Sequence, residues 1–131
     1  MLAFALALLL AACAPAVIPG STPMVFDAPR DEVYAAVVAA MASLTDELPP
    51  ASWMRRTTGW QIARENAERG FVVAELMYGT PTYVDRYVRL AAYVTPVDAV
   101  STQVVLAGRV EASDAAEVVV QALVARFGPP R

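Results

Sequence analysis

The pattern of apolar and polar positions divides the chain into an apolar leader, a linker and one folded region. Residues 1–12 carry no charged or polar side chain, and residues 14–24 contain three prolines, one glycine and no charge. A stretch of the second kind is typical of a semi-extended linker. We therefore predict a leader over 1–12, a tether over 13–24 and a single domain over 25–131.

Two stretches of the folded region repeat apolar residues at helical spacing. The first helix should begin near Pro29, which suits a first helical turn, and should fade by Leu48 because two prolines follow. Its apolar side carries Val33, Val37, Met41 and Leu44. The second helix should be capped by Ser113 and stop at Gly128. Its apolar side carries Ala116, Val119, Val120, Leu123 and Phe127.

Alternation of apolar and polar residues predicts strands around and between these helices. A short strand over 25–26 precedes the first helix, and strands over 60–64, 71–78, 83–95 and 102–110 separate the two helices. Short turns between consecutive strands favour an antiparallel meander. The order β-α-β-β-β-β-α predicts an α+β fold. It is a two-layer sandwich with a four- to five-stranded antiparallel sheet and both helices on one face.

The strand over 83–95 indicates which residues line the open face of that sheet. Every second residue there is apolar, with Arg86 as the exception, and should face the helices, which leaves tyrosines and arginines on the other side. Tyr and Arg are enriched at binding hot spots. The candidate binding face contains Tyr83, Tyr87, Arg89 and Tyr93, together with Arg109 from the next strand. A merely solvated face, a protein-docking face and a platform for a small ligand all fit this pattern.

The loop over 49–58 is a second candidate contact site, since ten residues exceed a typical connection. It brings an aromatic and an apolar side chain next to two arginines, and these residues are Trp53, Met54, Arg55 and Arg56. The loop can contact lipid headgroups or a partner, or Trp53 can fold back over the core of its own domain.

The end of the leader, Leu10-Ala11-Ala12-Cys13, resembles the bacterial lipobox. The resemblance implies that Cys13 receives a diacylglyceryl group and that signal peptidase II cleaves before it. The leader is shorter than the roughly 20 residues that span a bilayer and has the length of a signal-peptide core. Its departure from a usual signal is the lack of a basic residue after Met1.

Other interpretations of the leader remain open, namely ordinary secretion with cleavage at an A-x-A site, an uncleaved helical anchor, or a chance cysteine. If Cys13 is lipidated, the chain is held on a membrane of the cell envelope and faces the periplasm or the exterior. Ala14 is not the Asp that retains many Gram-negative lipoproteins in the inner membrane. The outer membrane is therefore the expected location in such a cell.

A second resemblance covers most of the folded region. The stretches VFDAPRDEVYAAVVAAM and GWQIARENAERGFVVAEL resemble small α+β domains of envelope lipoproteins, including the lipoprotein component of the outer-membrane β-barrel assembly machinery. The likeness lies in the order of elements and in an aliphatic strand followed by Pro and Asp-Glu-Val-Tyr. It implies a binding or scaffolding module with an envelope protein as partner.

Composition and charge exclude several kinds of chemistry. The ten basic residues are all arginines, spread among thirteen acidic residues, so there is no basic stripe for a nucleic-acid partner. The chain has no histidine and no lysine, and its single cysteine excludes an internal disulfide. We therefore expect no catalytic residue, no metal, no cofactor and no enzymatic activity.

Two functional hypotheses follow. The first is a non-catalytic, membrane-anchored interaction or scaffolding module that contacts another envelope protein. The alternative is a lipoprotein that binds a small apolar or amphipathic ligand between the sheet and the helices. A cavity lined by Trp60, Tyr78 and Phe127 would favour the alternative.

Overall fold

A computed structural model describes residues 17–45, 56–80 and 83–131, with side chains left undescribed at 56–58, 78–80 and 83–87. We number the helices α1 and α2 and the strands β1 to β5. The elements in chain order are β1 (Met24–Phe26), α1 (Arg30–Ala42), β2 (Arg56–Asn66), β3 (Phe71–Thr80), β4 (Tyr83–Pro96), β5 (Thr102–Gly108), a 3₁₀ turn (Val110–Ala112) and α2 (Ser113–Phe127).

The five strands form one antiparallel sheet in the order β1-β5-β4-β3-β2. Strands β2 to β5 are neighbours in chain order, as expected for a meander. Strand β1 joins the far side of β5, where Val25 lies opposite Gln103. The predicted α+β sandwich with two helices and an antiparallel sheet is thereby confirmed.

Both helices cover the same face of the sheet. Each strand buries alternate residues against the helices, as the two-residue period of a strand requires. Helix α1 contributes a fully buried row of Val33, Val37 and Met41, and α2 contributes Ala116, Val119 and Leu123. The strand residues of the same core include Val72, Ala74, Leu76, Val88, Leu90, Ala92, Val94, Val104 and Leu106.

Several element boundaries differ from the predicted ones. Helix α1 ends at Ala42, before the prolines are reached, and α2 has Ala112 rather than Ser113 at its cap. Strand β5 ends at Gly108 because the chain turns into the 3₁₀ helix. Strand β2 begins at Arg56, which pairs with Gly79, so Arg56 is a strand residue and our assignment of it to a contact loop is wrong.

Part of the segment that we predict as a tether packs on the domain. Ile18 is only 3% exposed and belongs to the core cluster. The carbonyl of Gly20 accepts a hydrogen bond of 2.8 Å from the backbone N–H of Leu106. Both contacts are made to the β5 side of the sheet, so the chain is fixed to the domain from Ile18 onward.

Several predicted residues lie outside the described part of the chain. These are the lipobox residues Leu10, Ala11, Ala12 and Cys13, and the loop residues Trp53, Met54 and Arg55. Within the described ranges, no helix combines the length and the apolar character that crossing a membrane would require.

Candidate functional site

The open face of the sheet, opposite the helices, is ordered in rows that run across the strands. One row is apolar, because Phe71 lies opposite Tyr93 and Tyr93 opposite Val105. The next row has small side chains, since Val73, Ala91 and Ala107 are aligned in the same way. A polar row follows, in which Gln61 lies opposite Glu75 and Glu75 opposite Arg89.

A groove of about 830 Å³ lies over the second and third of these rows. Its volume falls within the range of small-molecule sites, roughly 300–1,000 Å³. The small side chains give it depth, because alanines leave space where larger residues would fill the surface. The described residues that line it are Arg64, Val73, Glu75, Val88, Arg89, Ala91, Ala107, Gly108, Arg109 and Glu111.

Charge in the groove is distributed unevenly. The Glu75 carboxylate accepts a hydrogen bond of 2.8 Å from Nε of Arg89, an ion pair between cross-strand neighbours. The side chain of Arg89 is 65% exposed, so screening by water keeps this pair weak. Arg64 and Arg109 form no ion pair or side-chain hydrogen bond with any residue in the described ranges. Both guanidinium groups therefore remain able to bind an acidic group.

A β-bulge places Arg64 in the groove. Trp60 and Ile62 lie opposite Leu76 and Ala74, which face the helices, and strict alternation would put Arg64 on that side too. The register shifts between Ile62 and Arg64, so that Arg64 lies opposite Val73 on the open face. Such a bulge inserts an extra residue and redirects a side chain. Sequence periodicity alone therefore misses this residue.

The structure brings together part of the predicted binding face. Arg89, Tyr93 and Arg109 are exposed, and Arg89 and Arg109 line the groove. Tyr93 is 50% exposed in the apolar row beside it. Tyr83 and Tyr87 belong to β4 and pair with Thr80 and Met77 in the backbone register, but their side chains are outside the description.

The groove is not where we expected a ligand. The predicted cavity lay between the sheet and the helices, beside Trp60, Tyr78 and Phe127. In the structure Trp60 and Phe127 pack against the buried core cluster, and the Phe127 ring lies 6.1 Å from that of Phe26. The groove lies on the opposite face of the sheet. The open face combines small, apolar and charged side chains, whereas the helix-covered face is mostly apolar and its buried Thr102 already donates a hydrogen bond to the Ala28 carbonyl.

Metal binding has no support in the described residues, which contain no group of three or more Cys, His, Asp or Glu side chains arranged to hold an ion. Of the described groove residues, Glu75 and Glu111 carry carboxylates, and they belong to different elements: Glu75 lies on β3, and Glu111 lies in the 3₁₀ turn. The groove can therefore bind an acidic group through its guanidinium groups, next to an apolar surface.

Neither the models of known protein families nor the curated proteins contain a match to this chain. Among solved structures, it is similar to the Zhui aromatase/cyclase from Streptomyces sp. R1128. The two are 17% identical, the match covers 79% of this chain and 82% of the other, and the TM-score is 0.30. This neighbour is an enzyme and contradicts our expectation that the chain has no enzymatic activity, which we withdraw. A likeness of this strength carries no argument about which reaction, if any, is involved.

Proposed function

We propose that this chain is a lipid-anchored protein of the bacterial cell envelope that binds an amphipathic molecule with an acidic group on its open sheet face. The resemblance of Leu10-Ala11-Ala12-Cys13 to the bacterial lipobox supports the anchor. The observation that carries the binding function is the groove, in which a floor of small side chains is flanked by Arg64 and Arg109, neither of which forms an ion pair with a described residue.

The order of the rows on the open face fits an amphipathic ligand. Arg64 and Arg109 supply guanidinium groups for a carboxylate or phosphate, and such charge-assisted hydrogen bonds are among the strongest in proteins. The row of Phe71, Tyr93 and Val105 borders the small-residue floor and offers apolar contact area for a hydrocarbon tail. A ligand that is apolar at one end and acidic at the other matches both rows at once.

A photoactivatable fatty acid with a diazirine near the end of its tail tests this function. It is added to membranes that contain the full chain, and labelled peptides are mapped by mass spectrometry after irradiation. We expect labels on the open-face residues of β3 and β4, around Phe71 and Tyr93. The matching fatty alcohol, which lacks the carboxylate, should label the same residues more weakly.

Variants make the test specific for the groove. Arg64→Gln should lower labelling by about fivefold, the equivalent of losing one exposed charge contact of ~1 kcal/mol. Arg126→Gln is the matched control, because Arg126 is an exposed arginine of α2 on the helical side of the domain. Equal labelling in both variants, or labels confined to the helices, would refute binding in the groove.

A second candidate function is the contact with another envelope protein, and it is favoured by the exposure of Tyr93 and Arg89, which lie two rows apart on the same face. Tyrosine and arginine are enriched at binding hot spots. The two functions predict different results for Tyr93→Ala. A protein partner would be lost from crosslinked complexes, whereas the fatty acid should still be held at its acidic end by Arg64.

A further inference from the structure

The described part of the chain begins at the corner of the domain where the groove ends. Ile18 is buried there, and its Cδ1 atom is 3.5 Å from the point that a Cβ atom on Gly108 would occupy. The Cβ of Ala112 lies 3.2 Å from the same point. Gly108 also lines the groove. The N-terminal segment and the groove therefore share one corner, which we call the Gly108 corner and define by Val17, Ile18, Gly108, Arg109 and Val110.

Covalent geometry limits how far this corner can lie from a lipid on Cys13. Ile18 lies five positions after Cys13 in the sequence. A fully extended chain gains at most about 3.6 Å per position, so this segment reaches no further than about 18 Å. That distance is shorter than the domain is wide, since a domain of about 100 residues has a radius of gyration of about 13 Å. The anchor thus keeps the Gly108 corner on the membrane side of the domain.

The surface of the corner suits a layer of anionic lipid headgroups. Val17 and Val110 expose 76% and 56% of their surface, the former next to the buried Ile18 and the latter next to Arg109. Exposed apolar side chains beside an arginine are typical of protein segments that lie in a membrane interface. Arg109 is exposed and forms no ion pair within the described ranges, and the carboxylates of Glu75 and Glu111 line the same groove.

We infer that the Gly108 corner rests on the anionic phospholipid headgroups of the membrane that holds the lipid on Cys13, so that the groove opens towards that surface. This inference rests on the lipid anchor of the proposed function. Arg109 attracts the headgroups, and Val17 and Val110 enter the boundary between headgroups and acyl chains. The acidic amphipaths that reach the groove first are then those of the same membrane.

Two exposed valines provide a matched pair of probes. The full lipidated chain is prepared with Val110→Cys or with Val118→Cys, the latter on the outer side of α2, where Val118 is 50% exposed. Because the single native cysteine is Cys13, the introduced thiol is the only one free for a bimane label once Cys13 carries its lipid. Each labelled protein is placed in nanodiscs of phosphatidylcholine, alone or mixed with phosphatidylglycerol, that contain a headgroup spin-labelled quencher lipid.

We expect the label at Val110 to be quenched at least about threefold more than the label at Val118 in the phosphatidylglycerol nanodiscs, and salt should reduce the difference. Arg109→Gln in the Val110→Cys chain should reduce the response to phosphatidylglycerol. The inference would be overturned by equal quenching at the two positions, or by quenching at Val110 that does not change when phosphatidylglycerol is added.

The mass of the intact purified chain separates this result from a failure of the proposed function. If the measured mass shows no acyl groups, the lipid anchor is refuted, and both the proposed function and this inference fail with it. If the chain is lipidated but quenching is equal at Val110 and Val118, only the inferred orientation of the domain on the membrane is refuted. Labelling of the groove by the photoactivatable fatty acid would then still stand.

Discussion

The hydroxyl of Tyr34 on α1 donates a hydrogen bond of 3.1 Å to the backbone carbonyl of Phe71, the first residue of β3. The Arg30 guanidinium lies over the Tyr34 ring, 5.5 Å from its centroid, and also donates to the carbonyls of Ala67 and Glu68 in the β2–β3 turn. These contacts attach the helix layer to the end of the sheet where the apolar row of the open face begins.

Tyr34→Phe should lower the free energy of unfolding by about 1 kcal/mol, the usual net value of a hydrogen bond. The substitution removes the donor to the Phe71 carbonyl and keeps the buried ring. Urea unfolding followed by circular dichroism measures the difference. Tyr93→Phe is the control, because Tyr93 is half exposed and its hydroxyl makes no such contact with α1. A loss of equal size in both variants would contradict a specific role for the Tyr34 hydroxyl.

Stability should also fall at high pH because of Tyr34. Burial raises the pKa of Tyr34 above its ordinary value of about 10, and the negative charge of Glu65 raises it further. The folded state therefore prefers the protonated phenol more strongly than the unfolded state does. This contribution is complete below pH ~10 and is lost as the pH rises through the higher pKa of the folded protein. Tyr34→Phe should flatten the decline above pH ~10 in a series of urea titrations, and an unchanged decline would assign it to other groups.

Gly70 in the β2–β3 turn should be intolerant of any side chain. Its φ angle is +75°, and a Cβ atom there would lie 2.2 Å from the carbonyl oxygen of Val94, which is backbone and cannot move aside. The Gly70 carbonyl also accepts a hydrogen bond of 2.7 Å from the N–H of Val94. Gly70→Ala should cost about 3 kcal/mol or more, since strain and a steric clash combine.

Gly59→Ala separates the two causes of that loss. Gly59 has the same φ of +75°, yet nothing lies within 4 Å of its Cβ position. It should lose only the conformational cost of about 1 kcal/mol. Equal losses at Gly59 and Gly70 in urea unfolding would show that contact with Val94 is unimportant.

Periodicity predicted the faces of the sheet better than its boundaries. Val88, Leu90, Ala92 and Val94 are buried and Arg89 and Tyr93 are exposed, as the alternation indicated, because β4 is regular there. The boundaries depend on pairing between distant segments. Strand β2 extends back to Arg56 because β3 continues to Thr80 and supplies hydrogen-bond partners, which no local pattern reveals.

The candidate site was predictable only in part. Arg89 and Arg109 follow from alternation, but Arg64 reaches the open face through a bulge that reverses its expected side. The prolines around Ile18 predict an extended linker, but the burial of Ile18 beside Gly108 fixes this part of the chain to the domain. The groove itself depends on Ala91 and Ala107 being aligned on neighbouring strands, and that alignment is a property of register.

Filling the groove should abolish binding without harming the fold. Ala91→Leu adds three methylene-sized groups to the floor, where Ala91 lies between Val73 and Ala107. We expect labelling by the photoactivatable fatty acid to fall at least about tenfold, because overlap with a ligand costs more than one lost contact. Ala125→Leu, at an exposed position of α2, is the control and should label as the unchanged chain does. Full labelling of Ala91→Leu, with unfolding by urea unchanged, would place the ligand elsewhere.

Cys13→Ala should detach the chain from the membrane. Two acyl chains anchor a protein stably, at ~0.8 kcal/mol per buried methylene, whereas one gives only marginal binding. We expect incorporation of labelled palmitate to disappear and the chain to move from the membrane fraction to the soluble fraction. Ala16→Ser leaves the lipobox intact and should keep both properties. Membrane association that persists in Cys13→Ala would contradict the lipid as the main attachment and favour an uncleaved helical anchor.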